Sequence, residues 1–135
     1  MEARHNKSKQ RQAIFDVLCA SREHPSAEMI FSALKPDYPS LSLGTVYRNL
    51  SFFQQQGLAV SVGNVDGNMR YDACTSPHPH LLCRNCRRVT DLVLPDTVSS
   101  LYDEAERLWG CKVESYSLTF TGLCPRCREE DPSFP

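Results

Sequence analysis

Two Cys-x-x-Cys motifs lie well apart in this chain, Cys83-Arg84-Asn85-Cys86 and Cys124-Pro125-Arg126-Cys127. Four thiolates so grouped can enclose one zinc ion in a tetrahedron, at Zn–S distances of about 2.3 Å. Four sulfurs leave no open coordination position, so the chemistry is structural. Such an ion would pin the C-terminal tail to the turn that carries the first pair. Upstream, Asp72-x5-His78-x-His80 adds ligands that the cysteine site does not need. With His24 and Asp91 the set becomes three imidazoles and two carboxylates. His78 and His80, two apart in an extended segment, point to the same side. Nitrogen and oxygen ligands without a thiolate favour Fe(II) or Mn(II) over a soft-metal site. The bland alternative is ordinary surface histidines and carboxylates; for His24 no spacing argues against it. One closed and one open metal site together suit a sensor. An ion held by His24 and by residues of the later half would fix the angle between the two parts, so that its occupancy biases one arrangement.

Composition agrees with metal rather than disulfides. No N-terminal apolar run reads as a signal peptide and no segment has the length and hydropathy of a membrane span. The expected compartment is the cytoplasm, where thiols stay reduced. The cysteine total is seven, an odd number for a disulfide framework. Cys19 and Cys111 read as core residues. Cys74, close to Asp72 and His78, reads as a small buried side chain or as a further ligand. The net charge of -1 advertises no general affinity for nucleic acid. The N-terminal arm, however, carries Arg4, Lys7, Lys9 and Arg11 against Glu2. That arm is compatible with phosphate contacts and equally with a solvated terminus.

The elements that must position these groups follow from periodicity. Residues 9–20 predict a helix with Ile14, Val17 and Leu18 on one face. Ser26 predicts the N-cap of a second helix facing inward through Met29, Ile30, Ala33 and Leu34, and Ser42 that of a third with Val46, Leu50 and Phe53 on one stripe. Gly57 stands where a helix C-terminal glycine belongs. The period then shifts from 3.6 to 2. Leu58, Val60 and Val62 alternate up to the turn Asp66-Gly67-Asn68, and Met69, Tyr71 and Ala73 alternate beyond it. Three helices and a hairpin, residues 1–74, are the order of a winged helix-turn-helix. Residues 75–79 read as a hinge, because Pro77 and Pro79 disfavour helix. Residues 80–135 read as a small α/β unit. It has strands at His80–Cys83 and Val89–Leu94, then a helix over 96–109 capped by Asp96, with Val98, Leu101, Tyr102, Ala105 and Leu108 inward, and a last strand at Lys112–Thr121. Chains split this way bury little core in each part, and a zinc staple compensates. The expected fold class is α/β in the α+β sense.

Gln10-Arg11-x-x-Ile14, His24-Pro25-Ser26-Ala27, Thr45-Val46-Tyr47-Arg48-Asn49-Leu50, Arg70-Tyr71-Asp72, His78-x-His80-x-x-Cys83-x-x-Cys86 and Cys124-x-x-Cys127 carry a resemblance over nearly the whole chain. It resembles the ferric uptake regulator (Fur) superfamily of bacterial metal-dependent repressors. The resemblance implies a homodimer held by the C-terminal domains, a structural Zn(2+) on Cys83, Cys86, Cys124 and Cys127, and binding of a double-stranded DNA operator through Ser42–Gln55 in the major groove. By position it implies Gly44, Thr45, Tyr47 and Arg48 as DNA contacts. The set His24, Asp72, His78, His80 and Asp91 looks like the regulatory Fe(2+) or Mn(2+) site of the peroxide-responsive (PerR) branch; iron-sensing members more often carry glutamate where Asp72 and Asp91 stand. In that branch, peroxide acting on bound Fe(II) adds an oxygen to a histidine ligand, here His24 or His78 by position, the metal leaves, and the repressor lets go of DNA. Three features depart from the pattern. Asn6 and Ser8 replace the usual Arg and Thr, Arg48-Asn49 looks more like the iron-regulator helix, and no histidine stands near Glu114-Ser115-Tyr116.

The resulting expectation is a non-enzymatic repressor sensing hydrogen peroxide through histidine oxidation. The alternative on the same scaffold is an uptake regulator using iron, manganese or zinc as co-repressor without oxidation. A metalloenzyme built on Asp72, His78 and His80 has no evident base or substrate pocket and leaves the winged helix unexplained.

Overall fold

The computed structural model describes residues 2–94, 98–131 and 133, with side chains from residue 6 onward. The chain forms two units, Met1–Thr75 and Ser76–Pro135.

The first unit opens with α1 (Glu2–Ala20), which begins seven residues before the predicted residue 9. Its Ile14 and Leu18 are fully buried and Val17 packs beside them. The segment after α1 turns at His24, whose φ of 53° is left-handed. Ser26 then caps α2 (Ala27–Leu34), its hydroxyl accepting from the Met29 N–H at 3.2 Å. The buried face of α2 is Ala27, Ile30 and Leu34, not the predicted one: Met29 and Ala33 are exposed. Positions i, i+3 and i+7 track a helix face better than the adjacent pairs chosen from hydropathy. Ser42 caps α3 (Leu43–Gln55) through the Thr45 N–H at 3.1 Å, and Val46, Leu50 and Phe53 bury as expected. Gly57 closes it with φ 72°.

Strands β1 (Val60–Val65) and β2 (Asn68–Asp72) form the antiparallel wing. Asp66 and Gly67, both at positive φ, make the two-residue turn. The alternation predicted for β1 fails. Ala59, Val62 and Val65 are buried, whereas Leu58 and Val60 are exposed. A register shift between Ser61 and Gly63 is the cause, because one extra residue swaps the faces. On β2, Met69 is exposed and Arg70, Tyr71 and Asp72 are buried. Three helices and this hairpin enclose one apolar core running from Ile14 to Tyr71.

The second unit is a three-stranded sheet in the order β4-β3-β5. Strand β3 (His80–Cys83) pairs antiparallel with β4 (Val89–Asp91) and parallel with β5 (Thr119–Gly122). Between them comes α4 (Val98–Trp109), ended by Gly110 at φ 67°, and the chain finishes with α5 (Pro125–Glu130). The proposed cap Asp96 lies outside the described residues. Two expectations are corrected. The last strand is only Thr119–Gly122, because β3 offers partners to those four residues alone; Val113, Tyr116 and Leu118 instead line an apolar groove against α4. And α4 buries none of its residues: Leu101 is 62% exposed, Leu108 61% and Trp109 84%. Among the described residues of this unit the buried aliphatic side chains are Pro79 and Val89.

Candidate metal centres

The cysteine site is assembled by strand register. Cys83 ends β3 opposite Gly122 of β5, so the residue two beyond, Cys124, emerges beside it. Cys83 to Arg88 form a tight turn in which the Cys83 N–H donates to the Arg88 carbonyl and Arg87 takes φ 63°. Cys124 is the N-cap of α5, Pro125 opens the helix, and Cys127 sits one turn in. The four sulfurs lie within 4.8 Å of one another, with Cys86 and Cys124 Sγ 3.9 Å apart. Burial pushes the Cys83 thiol up, but N–H groups of Cys124, Cys86 and Asn85 outweigh it and hold the pKa at about 6. Backbone N–H groups lower Cys124 as well. The Asn85 amide donates to Cys127 Sγ at 3.3 Å, a contact the sequence reading did not foresee. Four thiols clustered at this spacing with no disulfide among them fit a structural zinc.

The other predicted ligands form two sets, one in each unit. In the first unit, His24 Nδ1 stands 3.5 Å from Asp72 Oδ2, both buried. The Cys74 N–H donates to Asp72 Oδ1 at 2.8 Å, fixing the carboxylate with Oδ2 toward the imidazole. In the second unit, His80 pairs with Asp91 in the β3–β4 register, and residues directly opposite share a face. His80 Nε2 comes 3.1 Å from Asp91 Oδ1. His78 Nε2 comes 2.9 Å from the same oxygen, the two rings 4.3 Å apart. His78 Nδ1 is 2.7 Å from the Ser76 carbonyl. With that nitrogen as donor, Nε2 carries the lone pair, the arrangement of a metal-ligating histidine oriented by an outer carbonyl. Two imidazole nitrogens aimed at one carboxylate oxygen must share a proton or a cation. The donor set is therefore that of a borderline or hard divalent ion.

Three cysteines correct the sequence reading: Cys19, Cys74 and Cys111 are all exposed, so none is a core residue.

On α3 the predicted DNA contacts share the face opposite the core. Gly44, Tyr47 and Arg48 are exposed, and Thr45 is half-buried. Arg48 Nη2 donates to Thr45 Oγ1 at 3.0 Å. The Tyr47 hydroxyl donates to Glu28 Oε1 at 2.6 Å, holding the Glu28 carboxyl below its usual value and the Tyr47 phenol above. From α1, Arg11 donates to Asn49 Oδ1 at 2.7 Å and lies 3.9 Å over the Phe52 ring. These contacts brace the exposed face.

Arg70 is the functional residue that the sequence reading left as a motif letter. It is buried, and burial lowers its pKa. Its guanidinium donates to the His24 carbonyl at 2.5 Å and to the Glu23 carbonyl at 2.8 Å. A left-handed non-glycine residue costs of order 1–3 kcal/mol, so the turn at His24 has to be held. An arginine at the start of Arg-Tyr-Asp was the available signal, but its partners are backbone atoms.

The profile of the Ferric uptake regulator family matches residues 2–121. The Peroxide operon regulator of Bacillus subtilis is 36% identical over 124 residues, covering 90% of this chain and 83% of that protein. The Peroxide-responsive repressor PerR of Staphylococcus saprophyticus is 35% identical over 123 residues, covering 90% and 81%. The structure of the Campylobacter jejuni peroxide stress regulator superposes with a TM-score of 0.77 at 29% identity, covering 93% of this chain and 94% of that one. The Helicobacter pylori ferric uptake regulator superposes equally well, TM-score 0.77, at 24% identity over 93% and 83%, a likeness of fold.

Proposed function

Because the chain belongs to the ferric uptake regulator family, we propose that it is a metal-dependent transcriptional repressor that binds operator DNA and senses hydrogen peroxide through Fe(II). The observation that carries this reading is the convergence of His78 Nε2 and His80 Nε2 on Asp91 Oδ1. Similarity to regulators named for peroxide, and aspartates rather than glutamates at positions 72 and 91, support the sensing branch.

One regulatory ion takes His24 and Asp72 from the first unit and His78, His80 and Asp91 from the second, with residues 75–79 as the hinge. Bound Fe(II) would supply one electron to break the O–O bond of peroxide, and the oxidising power so released would fall on a histidine ligand; in net terms one peroxide oxygen ends on a ring carbon and the other leaves as water. His24 and His78 are the residues proposed to receive it. Asp91 Oδ1 stands beside the Nε2 atoms of both histidines of its unit and would share the ion with them, while the Ser76 carbonyl, accepting from His78 Nδ1, leaves His78 Nε2 free to ligate. An oxidised imidazole donates poorly, so the ion is lost and the DNA-competent arrangement with it. A sensor consumed in one event is not an enzyme. Zinc on Cys83, Cys86, Cys124 and Cys127 holds the second unit together throughout.

The exposed apolar face of α4 supports a homodimer through the second unit. A twofold dimer would present two α3 helices to two half-sites. Arg48 reads a guanine edge or clamps phosphate, with Gly44, Thr45 and Tyr47 beside it. Among the described residues no helix is long and apolar enough to cross a membrane; we take the cytoplasm as the compartment.

A second reading is favoured by Arg48-Asn49, which resembles the reading helix of iron regulators. In it the ion is a co-repressor and peroxide has no role. The Asp91→Glu variant separates the two in a DNA-binding assay with Fe(II). The proposed function expects retained metal-dependent binding and lost release by peroxide. If the parent protein itself ignores peroxide, the uptake reading takes over.

A further inference from the structure

Arg70 and Asp72 stand two apart on β2 and therefore face the same side. That side meets the segment Glu23 to Ser26. Asp72 Oδ2 faces the His24 ring at 3.5 Å, and Arg70 takes the two carbonyls behind it, Nε on His24 and Nη2 on Glu23. Between them, the Tyr71 N–H donates to the Pro25 carbonyl at 3.0 Å, and Ser26 bridges to Arg70 through the backbone. The segment is thus docked on β2 by backbone at Pro25 and Ser26, and the Arg70 side chain holds the carbonyls of Glu23 and His24. Yet His24 holds a φ of 53°, which L side chains avoid. Released from its carbonyl contact, it would relax toward negative φ and swing the imidazole away from Asp72. A guanidinium sets its donors in a rigid planar fork, here Nε on one carbonyl and Nη2 on the next, whereas the three donors of an ammonium radiate from one atom on a flexible stem.

We propose that Arg70 is a positioning residue for the regulatory metal: it locks the strained turn that presents His24, and so pre-forms the His24–Asp72 half of the site. The inference rests on the reading that His24 and Asp72 are ligands. It gives Arg70 no contact with the ion and no part in oxidation.

The test uses full-length, zinc-loaded protein titrated with Mn(II), with four chains: the parent, Arg70→Lys, His24→Ala and the double variant. Loss of an outer partner of a ligand typically costs 10–100-fold in metal affinity, and that is the weakening expected of Arg70→Lys. His24→Ala weakens binding too. In the double variant the lysine should add less than about twofold, because the clamp has nothing left to position. In zinc-loaded Arg70→Lys before Mn(II) is added, the His24 ring resonances should shift while those of His78 and His80 stay. Should Arg70→Lys fail to fold by circular dichroism, Arg70→Gln, which keeps one donor, takes its place. Parent-like Mn(II) affinity in the Arg70 variant overturns the inference. So does a lysine effect that is undiminished beside His24→Ala, which marks a merely structural role. If His24→Ala binds Mn(II) like the parent, it is the assignment of His24 as a ligand that fails.

Discussion

Asp91 is the residue on which the second half of the proposed regulatory site turns, since both imidazoles reach the same oxygen of it. Asp91→Asn keeps the shape and removes the charge that draws a cation. Calorimetric titration with Mn(II) should then show a loss beyond the 10–100-fold typical of an outer partner, while the zinc content stays at one per chain. Unchanged Mn(II) affinity would remove Asp91 from the site. At this scale the sequence was most informative where ligands lie close along the chain: Cys-x-x-Cys and His-x-His announce themselves by type and spacing. Arg70 did not, because its acceptors are carbonyls 46 and 47 residues away. Cys19, Cys74 and Cys111 misled for a different reason. Cysteine is commonly buried, and composition gave no sign that these three face solvent.

At the level of elements, α3 depends on its cap. Ser42 Oγ accepts from the Thr45 N–H and meets Thr45 Oγ1 at 2.8 Å, and Thr45 Oγ1 in turn holds Arg48. Ser42→Ala should destabilise the first unit by about 1 kcal/mol, seen as a lower denaturation midpoint, and should weaken DNA binding more than that loss of stability explains. Equal affinity would mean that the cap does not orient the reading face. By contrast, Leu50→Ala, in the fully buried stripe of the same helix, should cost about 2–5 kcal/mol. Both helix starts were legible because Ser26 and Ser42 are local signals. The β1 register was not, because a bulge depends on the partner strand, and neither was the length of β5, which ends where β3 stops offering partners.

Considering the whole molecule, the two units differ in what holds them. The first has an apolar core from Ile14 to Tyr71, whereas among the described residues of the second Pro79 and Val89 are the buried aliphatic side chains, beside Cys83 and Cys127. Where burial is so small, metal binding is folding free energy. Removing zinc with a strong chelator should therefore abolish the hydrogen-exchange protection of β3, β4 and β5 and leave that of α1, α2 and α3 in place. Likewise, Leu101→Glu with Leu108→Glu should convert the proposed dimer to monomer in sedimentation, zinc retained, since both side chains are largely exposed in their own chain. The amphipathic face was legible in the sequence, and of the residues assigned inward Val98, Tyr102 and Ala105 are half-buried while Leu101 and Leu108 are exposed.

The central claim is that peroxide is read by oxidation of a histidine ligand. The most direct measurement is peptide mass spectrometry of protein loaded anaerobically with Fe(II) or with Mn(II), given a small dose of hydrogen peroxide, alongside operator binding by the same samples. The account predicts one added oxygen on the peptide holding His24 or His78, in the Fe(II) sample alone, together with release of DNA. Release without that oxygen, or DNA binding by the Fe(II) protein that peroxide leaves untouched, would contradict it.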